Sequence, residues 1–173
     1  MQQTQTKYDQ FFSIQKKLFR FAVFLADNRE EAKDLHQETM LKLWEKRADW
    51  EKLENMEAYA IRATKNIFLN WKNRVQRMRV LSTEEISEDL YKGQLPEIES
   101  KINVWDLKVK FDAMTRGLPD LQKQVMFLRE VEGYEYNEIA ELMSISLSKV
   151  KISLFRARNF IKERVSKIKR YER

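Results

Sequence analysis

Asp34 and Glu38 stand one helical turn apart in the run Ala32-Lys33-Asp34-Leu35-His36-Gln37-Glu38-Thr39, a spacing at which two carboxylates share a face and could hold a divalent cation. Such a site needs further ligands, and no further histidine or carboxylate is expected to complete it. His36 is the single histidine and the chain has no cysteine, which removes thiolate metal sites, cysteine nucleophiles, disulfides and histidine-dependent triads together. A nuclease or recombinase would need clustered carboxylates or a nucleophile placed beside its base, and neither pattern is evident. The residues therefore predict no catalytic group, no metal and no cofactor, and His36 reads as an ordinary helix residue.

Placed positive charge is the stronger signal. From Lys149 to Arg173 there are ten basic residues against two acidic ones. Leu147, Val150, Leu154, Ala157, Ile161, Val165 and Ile168 recur at helical spacing and make an inward stripe. The opposite face holds Ser148, Lys149, Lys151, Ile152, Phe155, Arg156 and Asn159. An apolar back with a cationic front is what a helix needs to enter the major groove and meet phosphates and base edges. A shorter helical pattern, Asn137–Met143, precedes it across Ser144-Ile145-Ser146, and together they read as a helix-turn-helix. Ala140 is small where two helices must cross, Ser144 falls where the turn requires a left-handed backbone, and Val150 anchors the second helix on the first. A second cationic surface lies at the end of a helix beginning at Asn55, where Lys72, Arg74, Arg77 and Arg79 follow one another with no acid between them.

These surfaces need helices to hold them, and the composition favours helices. The 173 residues are 43% hydrophobic and 35% charged, and three Gly and two Pro are too few for the turns of a sheet-rich chain. One stripe runs through Tyr8, Phe11, Phe12, Leu18, Phe19, Ala22 and Leu25. A second joins Ala32, Leu35, Thr39 and Leu43 after the cap candidates Asp27-Asn28. A third joins Met56, Tyr59, Ala60, Ala63, Ile67 and Trp71. Between the second and third, Ala48–Glu54 lacks periodicity and carries an exposed-looking Trp50. Residues 1–80 hold 16 basic and 11 acidic side chains, 81–100 hold one and six, and 101–173 hold 16 and ten. The expectation is an all-α chain of two small helical domains, a three- to four-helix bundle over 1–80 and a four-helix domain with helix-turn-helix over 101–173. An acidic linker over 81–100 joins them. The N-terminus has no apolar signal core and no stretch approaches the ~18 apolar residues of a membrane span, so a cytoplasmic protein without membrane insertion is expected.

Leu118-Pro119-Asp120-Leu121-Gln122-Lys123-Gln124-Val125-Met126-Phe127-Leu128-Arg129, then Glu138-Ile139-Ala140 and Val150-Lys151-Ile152-Ser153-Leu154-Phe155-Arg156-Ala157-Arg158, resembles the σ4 domain of extracytoplasmic-function sigma factors. Upstream, Ala32–Thr39 with Leu43-Trp44 resembles that family's polymerase-binding helix in σ2. The two resemblances cover nearly the whole chain in the family's order, σ2, linker, σ4. They imply core RNA polymerase and promoter DNA as partners, with an anti-sigma factor as a further candidate. Asp34, Leu35, Gln37, Glu38, Leu41 and Trp44 would dock on the polymerase. Trp50 and Asn55 would wall the pocket for an extruded base of the minus-ten element. Arg62, Lys65, Asn66 and Asn70, followed by Lys72, Arg74 and Arg77, would bind and open that element. Ser148, Lys149, Lys151, Ile152, Ser153, Phe155 and Arg156 would read the minus-thirty-five element, with Arg158 and Lys162 on phosphates.

Three positions depart from the family's pattern. Glu135 stands at the usual Ser or Thr cap, which predicts a less firmly capped helix. Ser144 replaces the turn glycine, which predicts strain of roughly 1 kcal/mol. Ser148-Lys149 replaces Gly-Thr and adds a cation facing DNA. The rival is a stand-alone helix-turn-helix repressor or activator, which would use the C-terminal surface but has no reason for the second basic surface or the docking helix.

Overall fold

A computed structural model describes residues 6–81 and 103–171, and side chains for all but 79–81 and 168–171 of these; the expected linker, with Ile86, Leu90 and Leu95, lies outside the described residues apart from its first position. All regular structure among the described residues is helical. The chain divides into two compact units, Met1–Trp105 and Asp106–Arg173.

In the first unit α1 (Lys7–Leu25), α2 (Arg29–Glu45) and α3 (Met56–Leu81) pack on one another, with a 3-10 turn (Arg47–Lys52) between α2 and α3. Each helix start is fixed by a short polar side chain. Thr6 and Asp9 cap α1 reciprocally, with Asp9 N–H donating to Thr6 Oγ1 at 3.2 Å and Thr6 N–H to Asp9 Oδ2 at 3.0 Å. Asn28 accepts from Glu31 N–H and Asn55 from Ala58 N–H, both at 2.9 Å. The α2 stripe is buried as its period predicts, at Ala32, Leu35, Thr39 and Leu43. The α1 stripe is shifted: Ile14 and Phe21 are in the core, while Tyr8 and Phe12 are exposed. Thr39 and Thr64 sit in this core without orphaned hydroxyls, because each donates to the carbonyl four residues back.

His36 is buried beside the edge of Phe19, its Nδ1 without a partner, and desolvation pulls its pKa down to about 4 from 6.5. The unfolded chain therefore takes up a proton on acidification that the folded core refuses. The stability this contributes is fully present above the ordinary imidazole pKa and is lost as pH falls from there towards 4. The expected result is a decline of about 3 kcal/mol in the first unit's unfolding free energy across that window. His36→Leu should remove that slope in denaturant titrations at stepped pH; an unchanged slope would show that carboxylates alone cause it.

In the second unit α4 (Val104–Thr115) leads to α5 (Asp120–Met126), which runs into a π-helical turn (Phe127–Val131); α6 (Tyr136–Met143) and α7 (Leu147–Tyr171) follow. Gly117 ends α4 at φ +98°, where an added Cβ would stand 3.3 Å from the Phe160 ring, so both conformation and space require glycine. The core gathers Phe111, Leu118, Val125, Phe127, Leu128, Ile139, Leu142, Val150, Leu154 and Ala157. The apolar stripe of α7 leaves the core before Val165, which is exposed.

Candidate nucleic-acid and docking interfaces

On α2 the side opposite the core presents Asp34, Gln37, Leu41 and Trp44, with Leu41 57% and Trp44 40% exposed. Leu35, expected to dock, is fully buried: it lies on the inward stripe and holds the bundle together. Glu38 is half-buried and already engaged, accepting from Trp71 Nε1 at 2.9 Å and pairing with Lys42 at 2.8 Å. That bond orients Trp71 between α2 and α3 and separates Glu38 chemically from Asp34. Burial, then the neighbouring Glu30 carboxylate, pushes the Asp34 carboxyl above its usual range, with Lys33 opposing.

Trp44 is held in a nest of rings. Its centroid lies 5.7 Å from Phe11, 6.0 Å from Trp50 and 6.3 Å from Tyr8, and the Arg47 guanidinium sits 5.2 Å above it. The expectation for Trp50 is corrected here. Only 2% of it is exposed, it stacks on Phe11 at 4.9 Å, and its Nε1 donates to Leu43 O at 3.0 Å. A ring so enclosed cannot stack on a base. The aperiodic segment is a 3-10 turn that folds its tryptophan inward, closing the end of the bundle. Asn55 is exposed, but its side-chain oxygen serves as the α3 cap.

Arg62, Asn66 and Asn70 recur every four residues along α3 and converge on a groove of about 530 Å³ between α2 and α3. Lys42, Glu45, Lys46 and Tyr59 complete its polar lining, with Leu43, Ala63 and Ile67 forming its apolar part. Sequence reasoning missed these four. Tyr59 was placed on the inward stripe, although it stands three residues before Arg62, on the same helical face. Lys42, Glu45 and the capping residue Lys46 come from the end of α2, which no local pattern ties to α3. Lys65 is half-buried and Arg74 and Arg77 are exposed beyond the groove. Lys72 turns back to Asp27 and to Glu31, and although burial disfavours its charge, these two carboxylates raise its pKa overall. It pins α3 to the start of α2.

In the second unit α6 and α7 meet across Ser144, whose φ of 53° and ψ of 47° are left-handed as the turn requires. Ile145 N–H donates to Ala140 O at 3.0 Å and Ser144 N–H to Glu141 O at 3.2 Å, closing the helix end. The start of α6 is firmer than Glu135 suggested: Glu135 N–H donates to the Glu138 carboxylate at 2.6 Å, while Arg129 holds the Glu135 carboxylate at 2.9 Å. On α7, Ser148, Lys149, Lys151, Ile152, Phe155, Arg156 and Lys162 are exposed, and among the described residues no carboxylate pairs with these cations. Ser153, expected to contact DNA, is instead buried on the core side between Val150 and Ala157, where a small side chain lets the helices approach. Arg158 is bound from two sides, donating to Glu130 at 3.0 and 2.6 Å and to the Tyr136 hydroxyl at 3.2 Å. Glu130, then Tyr136, raises its pKa. It braces α7 against the π-helical turn.

The two faces match two different family models, described as Sigma-70 region 2 over residues 12–78 and Sigma-70, region 4 over residues 108–161. Among curated relatives the chain is 29% identical over 147 residues to RNA polymerase sigma factor YlaC of Bacillus subtilis, covering 83% of each. It is 25% identical over 151 residues to ECF RNA polymerase sigma factor SigE of Mycolicibacterium smegmatis, covering 87% of this chain and 58% of that one. Its fold is similar to the sigma factor RpoE, solved with the anti-sigma factor NepR from Bartonella quintana (TM-score 0.68, 22% identity, 92% and 96% covered). It is also similar to CnrH, solved with the cytosolic domain of CnrY (TM-score 0.60, 14% identity, 92% and 87% covered). A stand-alone helix-turn-helix regulator would account for the second match and leave the first unexplained. A chain that carries both regions in this order belongs to the sigma-70 family, as a sigma factor of the extracytoplasmic-function group that directs RNA polymerase to promoters.

Proposed function

We propose a division of labour among named residues: α2 docks on core polymerase through Asp34, Gln37, Leu41 and Trp44, the groove between α2 and α3 takes the minus-ten element, and α7 reads the minus-thirty-five element. The observation that carries this is the exposed apolar pair Leu41 and Trp44 beside, but not inside, the polar groove of Arg62, Asn66 and Asn70. Apolar surface suits a protein partner from which water is expelled, whereas cations and amides suit phosphates and base edges. Arg74 and Arg77 extend the groove's positive charge along α3. Residues 1–80 then act as σ2, 81–100 as linker and 101–173 as σ4. The protein works in the cytoplasm as a non-catalytic subunit, and an anti-sigma factor is a natural partner because the solved neighbour RpoE is held by one. Among the described residues no helix is long and apolar enough to cross a membrane.

The test is initiation in vitro with bacterial core polymerase and a promoter library, sequencing the transcript starts. Starts that depend on the protein and share paired upstream motifs are expected. Initiation should fall at least tenfold when Asn66 and Asn70 are both replaced by alanine, since the pair would leave base-edge groups unmatched. Selection of duplex DNA by the protein alone, with no polymerase-dependent starts, would overturn the assignment.

A further inference from the structure

The face of α7 that points away from the core is not uniformly polar. Ile152 is 51% and Phe155 67% exposed, the latter the most exposed large apolar side chain among the described residues. At roughly 100° per residue, Ser148, Ile152, Phe155 and Asn159 fall on one narrow stripe, and Val150, Leu154 and Ala157 lie diametrically behind it. Lys149 and Arg156 flank the stripe on one side, Lys151 and Lys162 on the other. The cross-section of the helix is therefore a buried back, an apolar ridge at the very front, and a cation row along each side. Arg158 is withdrawn from those rows by Glu130 and Tyr136, which keeps the ridge clear of its long side chain.

A helix lying in the major groove puts its lateral residues near the two phosphate strands and its frontmost residues against the base edges. Most groups on that floor are hydrogen-bond donors or acceptors, and an aliphatic or aromatic side chain pressed on them leaves them unpaired. The exception is the thymine C5-methyl group. We infer that Ile152 and Phe155 read thymine methyl groups, so that the element recognised by α7 carries thymine where this ridge touches it. The inference rests on the assignment of α7 to the minus-thirty-five element and adds to it the chemical group that is read.

The methyl can be removed without disturbing base pairing. In the promoter selected by the holoenzyme, each thymine of the upstream element is replaced in turn by deoxyuridine, and binding of the holoenzyme to the labelled promoter is titrated. One or two positions are expected to lose about threefold to tenfold in affinity, the effect of one buried methyl. In Ile152→Ala or Phe155→Ala holoenzyme those same substitutions should have no further effect; both side chains are exposed, so neither variant threatens the fold. Deoxyuridine templates bound as tightly as thymine ones by the unaltered holoenzyme, or a selected element without thymine, would overturn the inference while leaving the sigma assignment intact. An equal deoxyuridine penalty in the unaltered and alanine holoenzymes would likewise overturn it. Failure to initiate on unmodified promoters would remove the assignment and the inference together.

Discussion

Replacing Trp50 by alanine is expected to lower the unfolding free energy of the first unit by about 3–5 kcal/mol, the range for deleting a large aromatic from a packed core. Trp50 is the largest fully buried side chain among the described residues, and the cavity left behind would be lined by Phe11, Tyr8 and Trp44, rings that stack on it or meet it edge-on. It would also strip the partner from Leu43 O at the end of α2. Trp50→Phe separates the two losses: much of the ring volume remains, and the missing indole bond should cost about 1–2 kcal/mol. Hydrogen exchange across α1–α3 in a urea series reads both. Because the Trp50 cluster also supports Trp44, loss of the fold and loss of polymerase docking should track each other across the two variants. Exchange protection unmoved by Trp50→Ala, with promoter opening lost, would return Trp50 to the DNA.

The contrast between Trp50 and its neighbours explains which parts of this molecule were readable from its residues. Period alone located α2, since Ala32, Leu35, Thr39 and Leu43 repeat at three and four and all are buried. The same period places Leu35 and Ser153 inward: Ser153 follows Val150 by three and precedes Ala157 by four. Both were nevertheless expected at interfaces by analogy with a family pattern, and the local spacing was the better guide. Trp50 gave no such signal, because a 3-10 turn of six residues has no stripe and its burial depends on Phe11, far away in the chain. The left-handed turn at Ser144 was legible from its place four residues after Ala140. The Arg158–Glu130 brace and the contribution of Lys42 and Lys46 to the groove were not, since each joins separate helices through long side chains whose reach no local pattern encodes.

Leu41→Glu is expected to weaken binding to core polymerase by at least 100-fold with almost no change in the stability of the first unit. Leu41 is more than half exposed, and glutamate is a good helix former, so the folded chain tolerates the exchange. At a docked interface the same carboxylate would be desolvated without a partner, a cost of several kcal/mol. It would also lie on α2 among Gln37, Glu38 and Glu45, where added negative charge finds little relief beyond Lys42. Trp44→Ala should cost a similar factor by removing a rigid aromatic anchor, the kind of side chain that dominates alanine scans of interfaces. Unlike Leu41, Trp44 touches Phe11 and Trp50, so its variant should also lose about 1–2 kcal/mol of stability through lost ring contacts. Fluorescence anisotropy of labelled protein titrated with core polymerase, read beside a urea transition, distinguishes the two. If both variants bind core polymerase as the unaltered chain does, docking does not run through this face. If only Trp44→Ala fails, and in proportion to its lost stability, the ring nest acts as core and the exposed leucine is incidental. The assignment of α2 as a docking helix therefore stands on the variant that leaves the fold alone: a carboxylate at position 41 has no route to the polymerase except through the surface it occupies.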